Sequence, residues 1–228
     1  MSAEQVNSQY PAEYVKVEAI LPGQSVSWLN VIRKQALASF SSNGFPSLRE
    51  EEWRYTNVSA IEKKLFSPVL NDEIGAVDVD SLNVYRLENT WSVVLVDGHF
   101  SAALSDLEGV PDSVCVLDMA SALEQCPDDL QKYFEQAVSH EQHSFVAFNA
   151  AWFTDGLFIH VPAKEVLSKT VQVIHVVTQA DYMSNTRHII AVDEMAQAEV
   201  IETFIGCDDS YLSAAVTEVF IGKNADLT

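Results

Sequence analysis

The sequence predicts a mainly β chain with added α-helix. An amino-terminal, mostly helical α+β domain occupies residues 1–145, and the first part of a parallel β-helix occupies residues 146–228. Three observations lead there. Glu199–Gly206 and Ala215–Gly222 nearly repeat, sharing Val200/Val216, Glu202/Glu218, Phe204/Phe220, Ile205/Ile221 and Gly206/Gly222 before a polar loop and Leu212-Ser213 or Leu227-Thr228. A second echo, at a longer lag, matches Val192-Asp-Glu-Met-Ala196 to Ile221-Gly-Lys-Asn-Ala225. Such self-similarity marks stacked units that bury their apolar faces only against neighbours. Finally, the segments are rich in Val, Ile, Thr and Phe and broken by Gly and Asp-Asp. That favours strands over the helix that Ala196, Val200 and Phe204, four apart, would also allow. The stack is expected to be cut off inside a unit.

Taken in order, residues 1–24 carry Pro11, Pro22 and Gly23 and read as a tail with at most one helical turn. From Ser25 to Ser42, Leu29, Ile32, Ala36, Leu37 and Phe40 share one helical face, with Ser25 or Ser27 as cap and Gly44 and Pro46 as stop. Glu50 to Glu52 suit a solvated first turn, and Trp53 and Tyr55 are expected to anchor that segment. Ile61 to Leu70 is a short apolar stretch ending near Pro68, and Asn71 to Asp80 is an acidic loop. Trp91–Val96 and His99–Leu104 around Asp97-Gly98 form the clearest hairpin, since Asp-Gly supplies the positive φ angles of a tight turn. Val114–Leu117 is a strand, and Ser121–Gln125 and Asp128–Val138 are helices, the second with Leu130, Tyr133, Phe134, Ala137 and Val138 inward. The stack then starts with a strand at Phe145–Phe148, turns at Thr154-Asp155-Gly156 and continues through Leu157–Val161, Val171–Val177 and His188–Val192.

With 48% hydrophobic residues the chain can build a real core, and no apolar run reaches the roughly 18–20 residues of a spanning helix. Thirteen Lys and Arg against 33 Asp and Glu leave a formal charge of −20, which repels nucleic acid and anionic membrane surfaces alike. The start, Met-Ser-Ala-Glu-Gln, has no secretory pattern, and Cys115, Cys126 and Cys207 form an odd, widely spaced set. Both point to reduced thiols in the cytoplasm. Each cysteine is expected to be a small buried apolar residue. Cys207, in Gly206-Cys-Asp-Asp-Ser, is the one to watch, although its acidic neighbours are expected to make it less nucleophilic.

Candidate chemistry is thin. His140-Glu-Gln-His143 puts two imidazoles at i, i+3 but lacks the i, i+4 spacing of H-E-x-x-H, so a polar helix end is expected rather than a metal site. His160 and His175 lie on strands and could stack in adjacent units, but a hydrogen-bonded structural role suits each better. Gly222-Lys223-Asn224 lacks the rest of a phosphate loop, and no serine sits in a nucleophile elbow. No catalytic, cofactor-binding or metal residue is therefore assigned.

Taken together, Gly44-Phe-Pro, Arg49-Glu-Glu-Glu-Trp-Arg-Tyr-Thr56, Phe148–Pro162, Arg187–Glu194 and Val216–Ala225, in that order, resemble the SufB/SufD family, and the Trp-Arg-Tyr-Thr run favours its SufD branch. The resemblance implies a helical domain, a right-handed parallel β-helix and a carboxyl-terminal helical domain that this chain lacks. It implies a non-catalytic scaffold of iron–sulfur cluster assembly that pairs with SufB and the ATPase SufC and is linked to iron acquisition. Iron–sulfur clusters and, through SufC, ATP are then handled by the complex and not bound by this fragment. SufB and SufC would dock through the missing half, and the open end of the stack predicts self-association. A second reading is a β-solenoid or cupin-like metal-dependent enzyme acting on a small molecule or sugar, with His140, His143 or His160 as ligands.

Overall fold

Tyr10, Tyr14, Val17 and Leu21 recur at helical intervals, and all four are buried. They form the inner side of helix α1 (Tyr10–Val17) and of the 3-10 turn Glu18–Ile20 after it. The computed structural model describes residues 9–70 and 72–228, so the first eight residues of the expected tail lie outside the described residues. The rest of that tail is ordered and contributes one buried face to the core, with Pro11 in the first turn of α1, where its missing N–H costs nothing.

Helix α2 (Ser27–Asn43) buries Leu29, Ala36 and Phe40 as the spacing predicts, and ends at Gly44 with φ 68°. Its cap position is Val26, not the expected serine, and makes no side-chain bond. The same face buries Arg33. Its Nη1 donates to the Ala151 carbonyl at 2.8 Å and its Nη2 to Phe153 at 3.3 Å and Pro22 at 3.2 Å. The first two acceptors lie at the carboxyl end of α7 (Ser144–Trp152), where unpaired carbonyls and the helix dipole both favour a cation. Helix α7 corrects the strand expected at Phe145–Phe148. Every residue from Val146 to Trp152 is buried, and a segment apolar on all sides has no period to separate helix from strand.

Tyr10 meets Phe40, Phe148 and Trp152 edge-on, with ring centroids 5.7, 5.2 and 6.0 Å apart, and ties α1 to α2 and α7. Trp53 packs on Phe145 at 5.1 Å as an anchor, whereas Tyr55 is 90% exposed and anchors nothing. Helix α3 (Ser59–Glu62), strand β1 (Ser67–Pro68) and helix α4 (Val79–Asn83) follow, the last capped by Asp78 accepting from the Asp80 and Ser81 N–H groups.

Strands β2 (Thr90–Val96) and β3 (His99–Phe100) make the expected hairpin, with Asp97 at φ 52° and Gly98 at φ 87°. The second strand stops at Phe100, whose N–H is held by the Asp155 carboxylate. Then come β4 (Cys115–Asp118), α5 (Met119–Gln125) and α6 (Pro127–Gln131). The remaining strands are β5 (Asp155–Val161), β6 (Thr170–Val176), β7 (Tyr182–Ser184), β8 (Thr186–Val192), β9 (Gln197–Ala198), β10 (Val200–Ile205), β11 (Leu212–Ser213), β12 (Val216–Ile221) and β13 (Asp226–Leu227). Asp155 and Gly156 therefore belong to a strand, not to the predicted turn.

The result is a mixed α and β architecture with parallel and mixed sheets. One sheet runs β10-β6-β2-β3 and a second β12-β8-β5-β4; β1-β7-β11 and β13-β9 are smaller. Pairings across the last stretch are parallel and share one offset of 29 residues, as in Val171↔Val200, Met183↔Leu212, Arg187↔Val216 and Gln197↔Asp226. Strands from both sides of residue 145 share sheets: β2 pairs with β6, β4 with β5 and β1 with β7. Between the two large sheets pack Val93, Leu95, Leu157, Ile159, Val173 and Ile190. The opposite face of the second sheet presents Phe158 and Ile189 to Leu29, Met119, Phe134 and Phe153 of the helical side. Gly156 is required where β5 meets β8, because a Cβ there would lie 1.7 Å from the Arg187 carbonyl oxygen.

A buried ion pair joins neighbouring strands, and its carboxylate reaches on to the helical side. Arg187 Nη2 donates to Glu218 Oε1 on the neighbouring strand, and both side chains are fully buried. The Glu218 oxygens also accept from the Glu135 N–H at 2.9 Å and the Ala137 N–H at 3.0 Å. This explains why the helix expected over Asp128–Val138 ends at Gln131: the N–H groups that would extend it are taken by Glu218, and Glu135 adopts φ 57°. Removing one partner of a buried pair strands the other charge. Glu218→Ala is expected to lower the urea-unfolding free energy by about 3–5 kcal/mol, and adding Arg187→Met to recover part of the loss. A loss below about 1 kcal/mol in Glu218→Ala would show that the pair does not hold the structure.

Candidate functional site

The inward row of β6 reads Val171, Val173, His175, and that of β8 reads His188, Ile190, Val192, so two imidazoles meet at one end of an otherwise apolar interior. Their ring centroids are 5.1 Å apart and nearly perpendicular. His188 is fully enclosed, and neither of its ring nitrogens has a hydrogen-bond partner. Burial lowers its pKa to about 3, helped by His175, so the ring is neutral. Glu202, on β10, brings its Oε1 to 3.4 Å from His175 Nε2 and 4.0 Å from His188 Nε2. Burial raises the Glu202 carboxyl, but the His175 hydrogen bond and the two imidazoles outweigh it and hold the group below the usual range. Phe204 stacks flat on His175 at 4.3 Å, and Thr217 Oγ1 lies 3.5 Å from both Glu202 oxygens. Each of the three side chains offers a ligand atom, all within 4.8 Å of one another, and among the described residues no second such grouping occurs.

The residues weighed in the sequence fall elsewhere. His140 Nδ1 lies 2.7 Å from Glu135 Oε2, His143 holds the cap position of α7 with Glu52 3.8 Å away, and His160 Nε2 lies 2.9 Å from Asp193 Oδ2. Each is paired with its own carboxylate, and the three do not converge. His160 and His175 do not stack in adjacent units, because β5 and β6 belong to different sheets. All three cysteines are free and only partly buried, with Cys207 Sγ 3.9 Å from the Asp209 carbonyl and the Cys115 thiol pushed up to about 11 by burial. His188 and Glu202 were missed, although alternation back from Val192 and Ile190 places His188 inside. Only the 29-residue offset brings Glu202 beside His175.

A cleft of about 670 Å³ opens beside the hairpin, lined by Leu21, Val69, His99, Phe100, Ala120 and Asp155 among others. Its His99 and Asp155 side chains are already engaged. His99 Nε2 lies 2.8 Å from the Val69 carbonyl oxygen, and Asp155 accepts the N–H groups of Phe100, Met119 and Gly156 at 2.9, 3.0 and 2.8 Å. Asp155 thus ties β3 and α5 to the start of β5, and its role is structural. Among the described residues no helix is long and apolar enough to cross a membrane.

The family model described as SufBD protein N-terminal region matches residues 4–173. The chain is 25% identical over 226 residues to an iron–sulfur cluster assembly SufBD family protein of Synechocystis, covering 94% of this chain and 49% of the relative. It is 25% identical over 218 residues to the iron–sulfur cluster assembly protein SufD of Bacillus subtilis, covering 90% and 48%. With a chloroplastic SufBD family protein of Arabidopsis thaliana it shares 25% over 224 residues, covering 88% and 39%. The chain spans about half the length of the curated relatives it matches, or less.

Burial pushes the Asp155 carboxyl up from 3.8 to about 6, against the pull of the Phe100 and Gly156 N–H groups. The folded chain therefore keeps a proton that the unfolded chain has released. The resulting stability is full below 3.8 and is lost as pH rises through about 6. Urea-unfolding curves of the wild type and Asp155→Asn, compared from pH 4 to pH 7, should show the wild type losing about 2 kcal/mol relative to the variant. A constant difference across that range would place the charge in a better-solvated setting than its burial implies.

Proposed function

The chain belongs to the SufBD family, and on that footing we propose that it serves as a non-catalytic scaffold of the SufD type in iron–sulfur cluster assembly. The observation that supports this most is the family match over residues 4–173, which runs through both the helical side and the first stacked strands. We read the parallel strands with their 29-residue offset as the opening turns of a parallel β-helix, the shape the family resemblance implies. A stack of this kind suits a scaffold: each turn presents side chains at fixed spacing on a surface that further turns extend.

In this reading SufB and SufC are the partners and dock through the part of the relatives that this chain does not span. Clusters are cargo of the assembled complex, ATP belongs to SufC, and a link to iron acquisition comes with the family role. Strands β10 and β12 end their sheets on one side, and their unpaired edges would let a second copy associate. The free, unpaired cysteines fit a reducing compartment such as the cytoplasm. The enzyme reading has less support, because His140, His143 and His160 are separately paired.

Size-exclusion chromatography with light scattering tests the assignment. This chain, and a version extended to the relatives' length, are each mixed with purified SufB and SufC. Only the longer version is expected to form a complex. Binding of SufC by the 228-residue chain alone would overturn the placement of the docking surface. Failure of both versions would overturn the scaffold role.

A further inference from the structure

We propose that His175, His188 and Glu202 bind one divalent transition-metal ion of the zinc or ferrous class between the two large sheets. The inference rests on the geometry of the cluster alone and stands whether or not the scaffold reading does.

The first argument is an unmet need. Buried polar atoms in folded proteins nearly always have partners, and those without one call for an explanation. His188 lies within an apolar interior with both ring nitrogens unpartnered. Among the described residues, the other buried titratable side chains with an unpartnered atom, Arg33, Glu135 and Arg187, have only one such atom each and bond through the rest. An ion beside His188 Nε2 would give that nitrogen a partner and would sit against a carboxylate already in place.

Spacing is the second argument. Ligand atoms about 2.0–2.1 Å from a tetrahedral ion lie about 3.3–3.4 Å from one another. His175 Nε2 and Glu202 Oε1 are 3.4 Å apart, and His188 Nε2 is 4.0 Å from the same oxygen, a gap that a small side-chain movement closes. Two imidazoles and one carboxylate suit zinc or ferrous ion better than the all-oxygen shells of calcium and magnesium, and offer no thiolate for cuprous ion.

The surroundings fit the same reading. Phe204 stacked on His175 fixes the ring plane, and Thr217 beside both Glu202 oxygens steadies the carboxylate. The Glu202 side chain is 29% exposed against 4% for His175 and 2% for His188, so the carboxylate is the least enclosed of the three groups. The ligands come from β6, β10 and β8, hence from both sheets, so binding would brace one against the other.

Protein stripped with a chelator is titrated with Co²⁺ and, separately, with Zn²⁺. One equivalent of Co²⁺ should give the intense visible absorption of a tetrahedral site, Zn²⁺ should displace it, and either ion should raise Tm. His188→Leu and Glu202→Gln should each abolish the absorption and the Tm rise, while His143→Ala leaves both intact. Without metal, His188→Leu should unfold no earlier than the wild type, since it replaces an unpartnered imidazole by an apolar side chain, so loss of binding there is not loss of fold. Absence of stoichiometric uptake in the wild type, or uptake that survives both His188→Leu and Glu202→Gln, would overturn the site.

Discussion

Arg187 and Glu218 are withdrawn from water together, and their surroundings are arranged to compensate two buried charges. Arg187 sits on β8 and Glu218 on β12, so the pair spans consecutive strands of one sheet. Glu218 reaches past the pair to the N–H groups of Glu135 and Ala137 on the helical side. Arg187 lies 4.5 Å from the Phe134 ring centroid and donates to Asn149 Oδ1 at 3.4 Å. Asn149 in turn donates to the carbonyls of Thr186 at 2.8 Å and Ala214 at 2.7 Å, the residues that lead into Arg187 and precede Val216. One polar network thus ties helix α7, the loop after α6 and two strands. The strand offset, the end of α6 and the seating of α7 are set together, and altering one disturbs the others.

The helical side uses the same device from its own end. Arg33 holds three carbonyls, two of them at the end of α7, and burial lowers its pKa only to about 10, so it stays charged at neutral pH. Helix α7 is therefore fixed at its carboxyl end by a cation from α2 and along its length by an asparagine facing the strands. Apolar packing around it is extensive but adapts to small shifts. The charged contacts depend on direction, and they set its position.

Much of this order was legible in the sequence, though not always through the strongest signal. The closer repeat, Glu199–Gly206 against Ala215–Gly222, relates β10 to β12, which belong to different sheets. Its copies even face opposite ways: Glu202 points between the sheets toward His175, and Glu218 points out toward Ala137. The fainter echo of Val192–Ala196 in Ile221–Ala225 carries the 29-residue offset by which strands pair. Strand ladders constrain side-chain direction and turn length more than residue identity, so the true repeat left the weaker trace. Helix α7 and the half-buried α1 were misread for related reasons: one buries every residue from Val146 to Trp152 and so shows no period, and the other builds half its stripe from tyrosines. Local periodicity puts Arg33 and His188 on core-facing positions, but it could not show what each would meet there. Each is a polar residue on a core-facing position, and what surrounds it comes from segments far along the chain.

Arg187 and His188 are neighbours in the chain, and on a strand neighbours face opposite ways. Arg187 points to the helical side, where two of its nitrogens find acceptors and its charge finds Glu218. His188 points between the sheets and finds no acceptor or donor within hydrogen-bonding reach, only His175 and Glu202 at slightly longer range. A scaffold needs the first arrangement and gains nothing from the second, since an apolar residue at position 188 would fill the same space without desolvating two nitrogens. The contrast between one closed network and one open cluster, a single residue apart, separates what holds this chain together from the groups on which the proposed ion site rests.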